Sequence, residues 1–225
     1  MVIDQRLKDK IHSVIYTFET GKKLADYGAL TVVHDGGDDH RLQISYGKLQ
    51  IIEYGRLNEL VKSYVDACGM YAERLRPYVG SIGRRPLATD TVFISFLKDA
   101  AKDEIMQNCQ DILFDKYYWL PAVKWAQTHG FQLPLSMLVI FDSYIQSGGI
   151  MWEIRRRFGE YTPANDGNEK LWIQAYVHAR RDWLAENDNQ YVRDSVYRMD
   201  CMLHAIDDDN WNLDKTIKTQ GETIL

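Results

Sequence analysis

Residues Val32–Gln50 read VVHDGGDDHRLQISYGKLQ. Two short runs rich in β-branched and apolar residues, Leu30–His34 and Leu42–Tyr46, flank a turn that opens Asp35-Gly36-Gly37-Asp38. Such runs on either side of a Gly-rich polar turn predict a β-hairpin, because glycine takes the turn conformations that side chains exclude. The turn carries three acids, Asp35, Asp38 and Asp39, beside His34 and His40. Charge at a hairpin tip is ordinary solvation. These carboxylates also offer a general base, provided that a second acid faces them.

A candidate for that second acid lies just upstream. Leu7, Ile11, Val14, Ile15 and Phe18 recur at helical spacing and Gly21 follows as a stop, which predicts a helix from Asp4 to Thr20 with Glu19 at its end. A carboxylate there faces the negative end of the helix dipole, an unfavourable placement. Glu19 is therefore either a solvated end-of-helix residue or an acid held for chemistry. A helix end and a hairpin can present two carboxylates across a groove. Glycoside hydrolysis uses that pair, one acid for the leaving oxygen and one base for water. Spacing alone leaves both readings open.

Downstream, Leu57, Leu60, Val61, Tyr64, Val65 and Cys68 predict another helix, closed by Gly69. The stretch Tyr78–Leu87 (YVGSIGRRPL) is rich in Gly, Pro and Arg and reads as a connection between two lobes. Beyond it the periodicity is helical over Thr89–Gln107, Gln110–Gln127 (interrupted at Pro121), Leu135–Ser147, Gly149–Phe158, Glu169–Glu186 and Asn189–Ile206. The expectation is an α+β, mostly α chain of one domain. Lobe one covers about residues 1–80, a helical lobe covers about 88–225, and a cleft separates them.

Composition narrows the function. The 225 residues are 45% hydrophobic and 26% charged with a formal net charge of −5, which suits an ordered globular chain and gives no support to nucleic-acid binding. No segment approaches the roughly 18 apolar residues that span a membrane. No signal peptide is evident, so the chain is expected to be cytoplasmic as made, or exported by a signal-independent route. Cys68, Cys109 and Cys201 are an odd, widely spaced set, expected to be reduced and buried. Neither HDGGDDH (34–40) nor DDDNWNLD (207–214) fits a calcium-loop spacing, so both read as solvated and no metal or cofactor is implied. Arg155-Arg156-Arg157 reads as a solvated or groove-lining face, and Trp119, Trp125, Trp152, Trp172, Trp183 and Trp211 mostly as core.

Several blocks together resemble glycoside hydrolase family 46, the chitosanases of the lysozyme-like superfamily. TFETG (17–21), VHDGG (33–37) and ISYGKLQ (44–50) are similar to its catalytic segments. The resemblance implies Glu19 as general acid, Asp35 as general base and Ser45 as the residue that helps hold the attacking water. LKDAAKDEIMQNCQDILFDKYYWLPAVKWAQ (97–127) resembles the family's central helix pair, and IFDSYIQSGG (140–149) its Tyr-Asp helix, with Asp142 at the aspartate. AYVHARRDWLAE (175–186) resembles its Asp-Ala-Arg helix, with Arg180 at the arginine. YVRDSVYRMDCML (191–203) followed by DDDNWNLD resembles its closing segment, with Arg193 or Arg198 at a second arginine, of which Arg193 is carried as the candidate. In the family these arginines and that aspartate form a buried ion network behind the catalytic glutamate.

Two departures carry information. GGDDHRLQ separates Asp35 from the Ile44-Ser45 pair, so Asp38 or Asp39 can replace Asp35 as the base. Arg56 in EYGRLNELV (53–61) stands where chitosanases carry an aspartate that holds cationic glucosamine. Like charges a few ångströms apart repel by about 1 kcal/mol or more. The resemblance thus implies an inverting endo-hydrolase of a β-1,4-linked amino-sugar polymer, chitosanase-like and monomeric. A peptidoglycan-cleaving muramidase and an inactive carbohydrate-binding protein on the same fold are the alternatives.

Overall fold

The structure is a computed structural model that describes residues 3–34, 41–48 and 50–225. The turn acids Asp35, Asp38 and Asp39 lie outside the described residues. By its internal contacts the chain divides into two units, one of Met1–Phe18 with Lys116–Leu225 and one of Glu19–Asp115.

The first helix and the hairpin form where the sequence predicts them. Helix α1 (Gln5–Thr20) buries Ile11, Val14, Ile15 and Phe18, and Gly21 leaves it at φ +71°. Strand β1 (Leu30–His34) pairs antiparallel with β2 (Leu42–Tyr46), setting Leu30 opposite Tyr46 and His34 opposite Leu42. A short β3 (Ile51–Ile52) adds to the other edge of β2, with Ser45 opposite Ile52. Ile44 and Tyr46 are fully buried, and the Tyr46 hydroxyl donates to the Leu97 carbonyl at 2.8 Å.

The unit Glu19–Asp115 continues through α2 (Leu57–Asp66), α3 (Ala72–Leu75), α4 (Thr91–Ala100) and α5 (Glu104–Phe114). The expected connection Tyr78–Leu87 falls inside this unit and joins no lobes. Glu53 supplies the physical reason. Its side chain is fully buried, and its carboxylate accepts from the Ile44 amide at 3.1 Å and the Leu87 amide at 2.8 Å, clipping the segment before α4 onto β2. The expected helix 89–107 is two helices. Asp103 ends the run because its carboxylate caps α5 through the Ile105 amide (3.0 Å) and accepts from the Met70 amide (2.7 Å) and the Tyr64 hydroxyl (2.7 Å).

In the other unit, a π-helical turn (Asp115–Trp119) leads into α6 (Leu120–Thr128). The helical run from Glu104 to Thr128 is continuous, and the π turn directly before Pro121 breaks its α-helical ladder, which is the interruption the sequence predicts at this proline. Helix α7 (Pro134–Ser147) is buried along most of its length. The segment expected as helix 149–158 supplies only α8 (Trp152–Arg155), because Gly148 and Gly149 leave the helical region at φ +72° and +150°. Helix α9 (Glu169–Ala185) carries Trp172 into an aromatic cluster with Phe131, Phe158 and Tyr176.

The helix expected over 189–206 is α10 (Gln190–Arg193), a 3-10 turn (Asp194–Val196) and α11 (Tyr197–Asp207). A second hairpin, β4 (Ile217–Thr219) with β5 (Glu222–Ile224), closes the chain through Gln220 and Gly221, both at positive φ. Cys109 and Cys201 are buried free thiols, and burial pushes Cys201 up to about 11. Cys68 departs from expectation. It is exposed, because it lies past the end of α2 at φ +56°.

Removing the Glu53 carboxylate strands two buried amides, each costing about 1–3 kcal/mol. Glu53→Ala is therefore expected to lower the stability read from urea unfolding by about 2–6 kcal/mol. Glu53→Gln, which keeps one acceptor oxygen, is expected to lose less.

Candidate active site

Glu19 lies half-buried in the last turn of α1. The carbonyl just before it, that of Phe18, is held from two sides: the Tyr197 hydroxyl donates at 2.8 Å and Arg198 Nη2 makes a longer contact at 3.5 Å. The Arg198 guanidinium also lies 5.3 Å from the centre of the Phe18 ring. The end of α1 is thus fixed through its backbone by residues of α11.

Behind this contact one carboxylate serves two arginines. Asp142, on α7 and fully buried, accepts from Arg198 Nη1 through Oδ1 at 3.0 Å, and its Oδ2 lies 2.9 Å from Arg180 Nη1. That second pair is an ion pair without an aligned hydrogen bond, and Nη1 also donates to Ser143 Oγ at 2.8 Å. Ser143 donates in turn to the Val139 carbonyl, so the Tyr176 hydroxyl, 2.9 Å away, is the donor to Ser143. Arg180 Nη2 donates to Gln146 Oε1 at 2.5 Å, and Gln146 Nε2 to Ser195 Oγ at 2.7 Å. Burial pushes the Tyr176 phenol up, with the Arg180 charge working against it.

Asp142 and Arg180 are where the sequence predicts a buried ion network, and Arg193 is not. Arg193 ends α10 and ties down the preceding loop, donating to the carbonyls of Asn187 and Asp188 and to Gln190 Oε1. The 3-10 turn after α10 resets the helical phase, and Arg198 on α11 takes the position beside Asp142. Tyr197, Ser143 and Gln146, all unforeseen, complete the network. Only the aspartate–arginine chemistry had a signal in the sequence.

Ser45 is buried on β2, and its hydroxyl donates to Gln50 Oε1 at 3.0 Å. Thr31, opposite it on β1, donates to the same oxygen at 3.2 Å, and Gln50 Nε2 donates to the Gly47 carbonyl at 3.2 Å. With its proton engaged, Ser45 keeps oxygen lone pairs to accept from a water. Just beyond, buried Lys48 pairs with Asp111 at 2.5 Å, and Tyr27 donates to the same carboxylate oxygen at 2.9 Å. This pair fixes the end of β2 to α5. Arg56 stands exposed before α2 with Glu59 3.8 Å away.

Among the described residues no group of three or more His, Cys, Asp or Glu is placed to hold a metal, and no helix is long and apolar enough to cross a membrane.

The sequence model of glycosyl hydrolase family 46 matches residues 59–217. The chain belongs to that family. The match includes Asp142, Arg180 and Arg198 and begins after Glu19 and the hairpin. The chain is 28% identical over 142 residues to a chitosanase of Bacillus subtilis (strain 168), covering 57% of this chain and 51% of that protein. It is 28% identical over 144 residues to a chitosanase of Streptomyces sp. (strain N174), covering 56% and 49%. The chain thus spans about half the length of the curated relatives it matches.

Its fold is similar over 100% of both chains to a mutant chitosanase of Bacillus subtilis MY002 complexed with 6 GlcN, with a TM-score of 0.82 and 22% identity. The family 46 chitosanase of Gynuella sunshinyii in complex with chitotetraose gives 0.81 at 20% identity, over 99% of this chain and 98% of that one. The fold is the mostly helical, lysozyme-like α+β fold of family 46.

Removing one partner of a buried ion network leaves a charge uncompensated, at a cost of about 3–5 kcal/mol. Arg198→Ala and Arg180→Ala are each expected to lose that much stability in thermal or urea unfolding. Arg193→Ala, which loses only loop contacts, is expected to stay within about 1 kcal/mol of wild type.

Proposed function

We propose that this chain is an inverting endo-glycoside hydrolase acting on a β-1,4-linked amino-sugar polymer of the chitosan type. The observation that carries the proposal is Glu19 at the end of α1, on the residue after a carbonyl held by Tyr197 and by Arg198 of the Asp142 network. A mobile carboxylate would be a poor acid, since a misplacement of about 1 Å can cost about 10²-fold in rate. Relatives of the same fold bound to 6 GlcN and to chitotetraose support the substrate class.

In the proposed reaction Glu19 gives its proton to the glycosidic oxygen as the bond from that oxygen to the anomeric carbon breaks. A carboxylate of the 35–39 turn takes a proton from water, and the new carbon–oxygen bond forms on the opposite face, inverting the configuration. Ser45, oriented by Gln50, accepts from that water. Asp35 is assigned as the base because it is the residue next in sequence after β1.

One observation favours a second substrate. The exposed guanidinium of Arg56, at the place where the resemblance puts a glucosamine-holding aspartate, disfavours a cationic sugar and suits an N-acetylated chain such as peptidoglycan. Reducing-end release from chitosan and from peptidoglycan, measured in parallel, separates the two. Binding of either polymer without release would mark an inactive carbohydrate-binding protein.

On whichever polymer is cleaved, Glu19→Gln is expected to reduce turnover by at least about 10²-fold, since it keeps the shape and removes the transferable proton. Asp35→Asn is expected to be severely impaired while Asp38→Asn and Asp39→Asn retain most activity. A dead Asp39→Asn beside an active Asp35→Asn would move the base along the turn. Wild-type turnover by a folded Glu19→Gln variant would remove Glu19 from the reaction.

A further inference from the structure

The sheet that carries Ser45 and the turn that follows it hold two buried polar atoms that bond to nothing. Side chains alternate along a strand, so Gln43 and Ser45 share one face of β2 while Ile44 and Tyr46 enter the core from the other. Gln43 is only 6% exposed, and its Oε1 has no hydrogen-bond partner. Ser45 lies opposite Ile52, and the Glu53 amide donates to the Ile44 carbonyl at 2.8 Å. The chain then turns, with the Gly55 amide donating to the Ile52 carbonyl at 3.0 Å, and Tyr54 lies in that turn. The Tyr54 hydroxyl is the second orphan, and the Arg41 guanidinium lies over the Tyr54 ring at 4.9 Å.

Folded proteins keep few buried polar groups unpaired, and a water or a ligand is one of the things that completes them. Here Gln43 stands two residues along β2 from Ser45, and Tyr54, in the turn after β3, is reached by Arg41, which precedes β2. The register also sets Gln43 opposite Val33, two positions in sequence before Asp35. Gln43 therefore lies, along the sequence, between Ser45 and the acidic turn assigned to hydrolysis. Both groups are uncharged, so they suit the hydroxyls and N–H groups of a sugar and add no charge of their own.

We infer that Gln43 and Tyr54 are glycan-contacting residues: Gln43 Oε1 accepts from a sugar hydroxyl or N–H, and the Tyr54 hydroxyl bonds to a sugar oxygen of the same bound chain. This inference rests on the reading of the chain as a glycan hydrolase with Ser45 at the scissile bond. It adds residues on which neither the acid nor the base depends.

The orphans make a discriminating test possible. Gln43→Met and Tyr54→Phe keep side-chain volume; the first deletes the whole amide, orphan oxygen included, and the second deletes only the orphan hydroxyl. A structural role predicts lost stability, whereas a ligand role predicts a Tm at or above that of the parent, because an unpaired buried group is removed. Each variant is made in the Glu19→Gln chain, to prevent turnover, and titrated calorimetrically with glucosamine hexamer and N-acetylglucosamine hexamer. Each is also made in the wild-type chain for KM and kcat.

The expected result is a Kd weaker by about 3- to 10-fold for the hexamer that the parent binds, the loss of one neutral hydrogen bond, with Tm not lowered. KM is expected to rise by a similar factor. Unchanged affinity in both variants would overturn the inference and assign the atoms to an internal water. A lowered Tm, or a Glu19→Gln parent that binds neither hexamer, would overturn it as well. Wild-type cleavage with unmoved affinities would sink the inference and leave the hydrolase standing. Weakened binding in a chain that cleaves neither polymer would do the reverse.

Discussion

One buried carboxylate organises the unit that contains α7, α9 and α11. Asp142 sits between Arg180 and Arg198, and each guanidinium also reaches a different neighbour. Desolvating three charges is costly, and their mutual attraction repays it only where hydrogen bonds satisfy the rest of each group. Arg180 meets that condition through Ser143 and Gln146, whereas Arg198 adds a longer contact to the Phe18 carbonyl. The geometry is therefore strict. A shift of any of the three helices opens an ionic contact between buried groups. The carbonyl before Glu19 inherits that strictness.

The hairpin is fixed by a different means. Its core face is held by Tyr46 to Leu97 and by the Glu53 clip, and its end by Lys48 on Asp111. On its other face Gln50, at φ +53°, gathers the hydroxyls of Thr31 and Ser45 onto one oxygen. A two-strand ribbon would be marginal alone. With these anchors it becomes a platform on which a hydroxyl has one orientation.

The elements that were legible in the sequence are those with a local cause. Both strands of the hairpin run from Leu30 to His34 and from Leu42 to Tyr46, because β-branched residues and a glycine turn act within a few residues. Helix α1 was legible through its apolar period and Gly21. The boundaries that could not be read have distant causes. Asp103 ends α4 by capping α5 and binding Tyr64, and the Leu87 segment belongs to the sheet because of Glu53, far from it in sequence. Arg193 and Arg198 offered the same chemistry, and only the 3-10 turn between them decides which meets Asp142. The closing hairpin did have a local signal, Gln220-Gly221 between β-branched residues, that was passed over.

The division of the chain has a consequence for synthesis. Residues Glu19–Asp115 form one uninterrupted unit, whereas the other unit is assembled from Met1–Phe18 and Lys116–Leu225. A ribosome therefore completes every partner of the first before it has begun most of the second, and domains fold as units as they emerge. Helix α1 must wait far longer. Lys10 finds its acceptors on the carbonyls of Leu213 and Lys215, and Phe18 its donors on Tyr197 and Arg198. Closing loops of that length is slow, because their entropy is lost before their contacts form. The acid of the candidate site is made early, and it acquires its fixed position among the last events of folding.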